Sequence, residues 1–489
     1  MSSVVVIGAG LAGLSSACYL SGDGHRVIVV EPQTFPGGRS GRVHQDGFTF
    51  DTGATVLTMR DLIDDALKSV GTRVGDELEL TLLDPAYRAT FADGSTMLVR
   101  HGHEAMRQEI ADQCGSVDAA AFDEFVVWLR RLYLAEMPNF IDRNFDSVLG
   151  LLQRPRAVAS LLALNGFSRL GRQVRRRFAD ERLHRLFSFQ AMYAGLAPSD
   201  ALAIYAVITY MDSIEGVWFP RGGMRAVPDA MARAAQRAGV EFRYGSEVTD
   251  IITRSDGRVC GVELSDGEHV MADAVVCTVD LPVAYQRWLS ARPAPRTVRN
   301  GSYSPSCVLW HVGVRGVPED ATHHNIHFGA AWDDAFDDLL RRGRLMRDPS
   351  RLVSVPSLDD AEAAPPGCST LYVLEPVPNL KIGRIDWQQE APRLRQRLLE
   401  FLGRQGYPND ILTEHLVTPQ DWLAQGMAHG TPFALAHTFT QSGPFRPNNV
   451  DRSWPGLVFA GSGTVPGVGV PMVLISGKLA ARRVAEYLS

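Results

Sequence analysis

The chain has 489 residues, 45% of them hydrophobic and 21% charged, enough for a large buried core and more than one domain. A net charge of −6 leaves no global basic footprint, so no nucleic-acid partner is expected. The six cysteines, Cys18, Cys114, Cys260, Cys277, Cys307 and Cys368, are scattered without a C-x-x-C pair. That pattern predicts reduced thiols in a cytoplasmic protein, neither a disulfide framework nor a zinc site.

Val4 to Ile7 reads as a short apolar strand, followed at once by Gly8-Ala9-Gly10-Leu11-Ala12-Gly13. Leu14 to Leu20 reads as a helix, and Val27 to Val30 as a second strand ending on Glu31. Strand, G-x-G-x-x-G, helix and acidic residue together make a βαβ dinucleotide fingerprint in its proper context. Gly8 permits the tight turn, Gly10 lets a pyrophosphate approach the backbone, and Gly13 lets helix and strand pack closely. The helix N-terminus offers free N–H groups and partial positive charge to phosphate. Glu31 suits ribose hydroxyls and disfavours a 2′-phosphate. The fingerprint starts at residue 4, so no signal peptide is expected.

Gly37-Gly38-Arg39 comes next, with backbone freedom and a cation suited to the same pyrophosphate. Gly47 to Thr55 then carries Phe50-Asp51-Thr52-Gly53. A second glycine pair followed by F-D-x-G resembles the FAD fold of the amine oxidase and phytoene desaturase superfamily, where a plain NAD dehydrogenase would enter its next βα unit. Residues 105–215 are helical in pattern. Arg154, Arg156, Arg169, Arg172, Arg175, Arg176 and Arg177 crowd beside Leu151-Leu152 and Leu161-Leu162-Ala163-Leu164. Apolar runs beside a basic face suit an interfacial helix on anionic lipid, and equally a solvated helical face. No run reaches the ~20 apolar residues of a membrane span. The longest, Ala201 to Met211, predicts a buried helix.

From Trp218 the pattern returns to α/β. A helix is predicted over 226–238, strands over 240–244 and 247–253, and a hairpin through Arg254–Arg258 into Val259–Leu264. Ala272 to Thr278 reads as a strand re-entering the parallel sheet. Residues 300–425 are strand-rich, with helices near 332–341 and 391–403. Gly456 to Gly461, the loop Ser462–Pro471 and an amphipathic helix Met472–Leu488 close the chain. Strand, glycine loop and helix start again place N–H groups on a polar ligand. A helix N-terminus at Met472 would stabilise negative charge on a reduced flavin.

The closing run Gly461-Ser462-Gly463-Thr464-Val465-Pro466-Gly467-Val468-Gly469-Val470-Pro471, with Ser476-Gly477 after it, resembles the signature of bacterial-type phytoene desaturases. Phe187 to Pro198, Gly216 to Met224, His437-Thr438-Phe439 and Phe445-Arg446-Pro447 agree with that family, and the likeness spans nearly the whole chain. Val465 departs from it, standing where relatives often carry a polar residue. The resemblance implies an α/β fold with a discontinuous Rossmann-like FAD-binding domain (1–95, 216–280 and 426–489). It implies a mixed-sheet substrate domain (281–425) and a helical membrane-associating insertion (105–215) as substrate entrance. It further implies FAD as cofactor, held by Gly8, Gly10, Gly13, Glu31, Gly38, Arg39, Thr55, Val248, Gly461, Val470 and Met472. The implied reaction desaturates phytoene or a related C40 precursor towards lycopene, by hydride transfer from carbon to flavin N5 with proton loss.

Only one dinucleotide fingerprint is present, so quinone or oxygen, rather than a nicotinamide, is the expected electron acceptor. An apolar polyene residing in lipid predicts peripheral association with the membrane surface. Asp142 and Arg143 are the acid/base candidates, against the alternative of a structural ion pair. His323-His324-Asn325-Ile326-His327 invites a metal, but His324 would point away from the other two, and no metal site is expected. His437 reads as a packed histidine. Two alternatives share the fold: another FAD oxidase such as an amine oxidase, and a non-enzymatic prenyl-lipid escort resembling Rab GDP dissociation inhibitors. Intact Gly8, Gly10, Gly13, Glu31 and Arg39 speak against the escort.

Overall fold

A computed structural model describes residues 1–147, 150 and 153–489; Leu151 and Leu152 lie outside the described residues. The first sheet is built from five strands, mostly near-continuous apolar runs of the kind buried on both faces, with a half-buried edge strand over 241–244. They are β1 (Ser3–Ile7), β2 (Arg26–Glu31), β3 (Glu241–Tyr244), β4 (Ala274–Cys277) and β5 (Leu457–Phe459). All pair in parallel, in the order β5-β4-β1-β2-β3. Residues from three separate stretches of chain thus form one sheet. The first helix, α1 (Leu11–Gly22), follows β1 and packs against the C-terminal helix Val470–Leu488. That approach is close: a Cβ on Gly477 would lie 2.4 Å from the Ala12 carbonyl oxygen. Ser15 Oγ donates to the Leu474 carbonyl at 2.7 Å and Ser16 Oγ to that of Gly477 at 3.1 Å. Both helices follow parallel strands, so both N-termini open at the carboxyl edge of the sheet, where ligands of such folds bind.

A second, mixed sheet has seven strands, in the order Asp410–Val417, Ser306–Arg315, Cys368–Val377, Arg351–Ser354, His324–His327, Tyr87–Thr90 and Thr96–Val99. Tyr87–Thr90 therefore joins the later strands, although it falls within the 1–95 stretch expected to belong to the cofactor domain. Its parallel pairing to His324–His327 is long-range, and local periodicity carries no trace of it. A three-stranded antiparallel sheet, Val248–Thr253, Val259–Leu264 and His269–Met271, matches the predicted hairpin.

The region 105–215 is helical, as predicted. The long helix Ser116–Glu136 buries Phe122, Phe125, Trp128, Leu129 and Leu132, and the turn Met137–Ile141 that follows it is π-helical. Ala201–Met211 is not one helix. A 3₁₀ turn (Ala203–Tyr205), a short α-helix (Ala206–Thr209) and a π-helical turn (Tyr210–Ile214) succeed one another. Its first residues spend their backbone groups elsewhere: Leu170 N–H donates to Ala201, and Ala203 and Ile204 N–H donate to Ser168 and Gly166. The C-terminal helix starts at Val470, two residues before the predicted Met472, because Pro471 in the first turn needs no N–H partner. The helix expected over 391–403 runs from Trp387 to Arg404, capped by Asp386, which accepts from the Gln388 and Gln389 N–H groups.

Candidate functional site

The two glycine loops of the N-terminal region touch each other. Gly8 sits at φ +99° and its N–H donates to the Val30 carbonyl at 2.8 Å. A Cβ on Gly13 would stand 2.0 Å from the Gly8 carbonyl oxygen, so close helix–strand packing requires glycine there. The Gly37 N–H donates to the Ala9 carbonyl at 2.9 Å, and a Cβ on Gly38 would lie 3.2 Å from Gly10 Cα. A Cβ on Gly10, by contrast, would meet nothing nearer than 3.9 Å. Gly10 is the N-cap of α1 with no side-chain cap, so the helix presents bare N–H groups to open space.

Glu31 ends β2 beside this loop and is buried. Its carboxylate accepts from the Ala9 N–H at 2.7 Å and the Gln33 N–H at 3.0 Å. Burial raises its pKa above the ordinary carboxylate value, against the pull of those two hydrogen bonds. The Gly245 and Ser246 N–H groups donate to the Gln33 and Glu31 carbonyls, which brings Val248 to the same end of the site.

Arg39 was expected at a pyrophosphate. Its guanidinium pairs with Asp280 at 2.6 Å and donates to Ser462 Oγ at 2.6 Å and the Pro432 carbonyl at 2.9 Å. It thereby joins the second glycine loop of the N-terminal region to the C-terminal loop. Asp280 lies three residues past β4, at the carboxyl edge of the sheet; that position was the available sequence signal for it.

The segment Asp51–Thr55 is fixed from two sides. The Asp51 carboxylate accepts from the Met224 and Arg225 N–H groups at 2.9 and 3.4 Å, and a Cβ on Gly223 would come within 2.9 Å of it. The F-D-x-G and P-R-G-G-M motifs are thus one contact. Burial pushes the Asp51 carboxyl up to about 6. From the seven-stranded sheet, His311 Nε2 meets the Asp51 carbonyl at 3.0 Å, Tyr372 Oη donates to that of Gly53 at 2.7 Å, and His324 Nε2 meets that of Thr55 at 3.1 Å.

The C-terminal loop forms the other wall. Gly461 and Gly469 have φ of +110° and +113°. Gly469 is the N-cap of the C-terminal helix without a side-chain cap. Ser476 Oγ accepts from the Gly461 N–H at 3.0 Å and donates to the Val465 carbonyl at 2.7 Å. The His437 ring lies where a Cβ on Gly467 would be, 2.0 Å from Nε2. Burial and the nearby Arg446 hold that imidazole well below its usual pKa, so it is a packed neutral ring, as the sequence suggested.

Asp142 is held by Lys478 at 2.6 Å and Arg482 at 3.3 Å, both on the C-terminal helix; Arg143 is half-buried beside it. The ion-pair partners of Asp142 thus lie on the C-terminal helix rather than at the neighbouring Arg143. In the histidine run, His323 pairs with Asp359 at 2.8 Å and His327 Nε2 meets Tyr407 Oη at 3.0 Å. Among the described residues no group of three metal-ligating side chains occurs.

Two uncapped helix N-termini at one sheet edge, glycines that leave space before them, and an acidic residue at the end of β2 fit a dinucleotide. Residues 11–485 match the family described as flavin containing amine oxidoreductase, which makes the protein an FAD-dependent oxidoreductase. It is 51% identical over 98% of its length to the phytoene dehydrogenase of Streptomyces griseus, of which 94% is covered. It is 36% identical over 99% of its length to the zeta-carotene-forming phytoene desaturase of Myxococcus xanthus, also 94% covered. The chain belongs to the phytoene desaturase family within the flavin-containing amine oxidoreductases. In fold it is similar to a solved oxidoreductase from Methanosarcina mazei, with TM-score 0.64 at 18% identity over 99% of this chain and 100% of that one.

Proposed function

We propose that this chain desaturates phytoene or a related C40 carotenoid precursor towards lycopene. The observation that carries the proposal is the 51% identity to a phytoene dehydrogenase across 98% of the chain, joined to a cradle with two bare helix N-termini. Bound FAD supplies a two-electron hydride acceptor, which no side chain offers. The chain's own residues bind and orient. Gly8 and Gly13 shape the turn and let α1 pack on β1, and Gly10 and Gly38 leave room for the pyrophosphate at the α1 N-terminus. Arg39 ties the glycine loop to the C-terminal loop through Asp280 and Ser462, and Glu31 and Val248 stand at the ribose end. Thr55, Gly461, Val470 and Met472 border the ring end, where the C-terminal helix favours negative charge.

In this reading residues 1–95 without the strand Tyr87–Thr90, which joins the seven-stranded sheet, form the FAD-binding domain with 216–280 and 426–489, 281–425 the substrate-binding domain and 105–215 the substrate entrance. An apolar polyene offers nothing polar to grip, so orientation rests on apolar surface. The entrance lies against the membrane. Leu162 and Phe167 are exposed at 61% and 39%, in the stretch that carries exposed Arg156, Arg169, Arg172, Arg175 and Arg176. Phe439 stacks edge-on against Phe167 and is itself exposed. Among the described residues no helix is long and apolar enough to cross a membrane, so contact would be peripheral. Membrane quinone or oxygen would take up the electrons. The test is anaerobic incubation of the flavoprotein with phytoene in liposomes and a quinone, read by absorbance. New polyene bands are expected; their absence with FAD bound would refute the proposal.

A further inference from the structure

The F-R-P motif contains a buried cation with no carboxylate of its own. Arg446 is 3% exposed. Its Nε donates to the Thr464 carbonyl at 2.9 Å, and Nη2 to those of Ser462 and Leu435 at 2.6 and 3.3 Å. Nη1 donates to the Gln441 carbonyl at 3.2 Å. Every partner is a neutral backbone oxygen, and among the described residues no carboxylate lies within ion-pair distance. Asp280 is taken by Arg39 at 2.6 Å. Burial lowers the guanidinium pKa to about 10, so Arg446 stays charged at neutral pH. Of the groups around it, Tyr205 and Tyr303 are held protonated by burial and His437 is held neutral. Nothing there cancels its charge.

Burying an unpaired guanidinium is costly. Neutral donors would satisfy the same four carbonyls at lower cost, so the hydrogen bonds alone give no reason for a full charge. A neutral side chain would not supply the electric field. Two of the four carbonyls, those of Ser462 and Thr464, belong to the loop that borders the ring end of the cofactor cradle. The charge is hydrogen-bonded directly to the backbone of that loop, and a buried, low-dielectric setting screens it weakly. Hydride uptake delivers two electrons and one proton to the ring, so the ring gains one negative charge.

We propose that Arg446 is a positioning residue whose buried charge, set behind the Ser462–Gly467 loop, favours the reduced form of the bound flavin. This rests on the FAD reading above and extends it to a residue outside the assigned cradle. The test uses the purified holoprotein, with Arg446→Gln and Arg446→Lys variants. Reduction potential is measured anaerobically at pH 7 by dye equilibration, and FAD dissociation is measured in parallel. Arg446→Gln is expected to shift the equilibrium at least tenfold towards oxidised flavin, about 30 mV for a two-electron couple. Arg446→Lys is expected to stay within threefold of the parent while holding FAD more weakly. An FAD-replete Arg446→Gln protein with unchanged potential overturns the proposal. So do Lys and Gln variants that both unfold or both lose FAD, since that marks a loop staple alone. A parent protein that takes up no FAD sinks the flavin reading itself, a result distinguishable from either.

Discussion

Two glycines of one loop separate folding from binding. Gly13 faces the Gly8 carbonyl at 2.0 Å from an added Cβ, whereas Gly10 faces open space to 3.9 Å. Gly13→Val should lower the melting temperature and give little folded protein. Gly10→Val should melt within a few degrees of the parent and yet lose the flavin absorbance near 450 nm. A Gly10→Val protein that keeps its flavin would remove Gly10 from the cradle. Buried carboxyls give a second residue-scale prediction. Asp212 is 2% exposed, its Oδ2 has no hydrogen-bond partner among the described residues, and burial pushes its carboxyl up to about 7. The folded state therefore holds the proton more tightly than the unfolded chain. The contribution is present below the ordinary carboxylate pKa and is lost as pH rises towards 7, by about 1.4 kcal/mol per pH unit. Asp212→Asn removes this loss. Urea titrations should show the variant gaining on the parent from pH 5 to 8, with no gain at pH 4. Neither Asp212 nor Glu136, also buried, stands out in sequence, where an acid beside apolar residues reads as a surface position.

At the scale of elements, local signals were legible and shared ones were not. The fingerprint from β1 to Glu31 carries its own strand, turn, helix and acid within about thirty residues, so it is readable without the rest of the chain. The start of the C-terminal helix was misplaced by two residues because Pro471 looks like a terminator in isolation and serves as a first-turn residue in place. Arg446 was quoted within a motif, but its four carbonyl partners span residues 435–464, and backbone acceptors leave no mark in sequence. The same holds for Asp142, whose partners sit on the last helix. Asp142→Asn is expected to cost about 1 kcal/mol of stability, as for a partly exposed pair, with turnover within threefold of the parent. A hundredfold loss of turnover in a stably folded variant would make Asp142 part of the chemistry after all.

For the molecule as a whole, the parallel sheet and the strand-rich 300–425 region were visible in sequence, whereas the joining of Tyr87–Thr90 and Thr96–Val99 to that region was not. The pairing of Tyr87–Thr90 with His324–His327 joins distant stretches, and short strands of mixed polarity look alike until they pair. The proposed membrane face is likewise legible only in the assembled surface: Phe167 and Phe439 meet only in the fold. Phe167→Glu combined with Arg172→Glu should reduce co-sedimentation with anionic liposomes at least fivefold, and salt should weaken the parent's binding. Activity on detergent-dispersed substrate should change little. Equal co-sedimentation of parent and variant would place the contact elsewhere or nowhere.

Three side chains of the mixed sheet, His311, Tyr372 and His324, grip alternate carbonyls from Asp51 to Thr55. That ladder works as a rivet line. A segment riveted at three carbonyls does not hinge there, so under the proposed function a long, stiff polyene is expected to enter endwise past the helices rather than be closed upon.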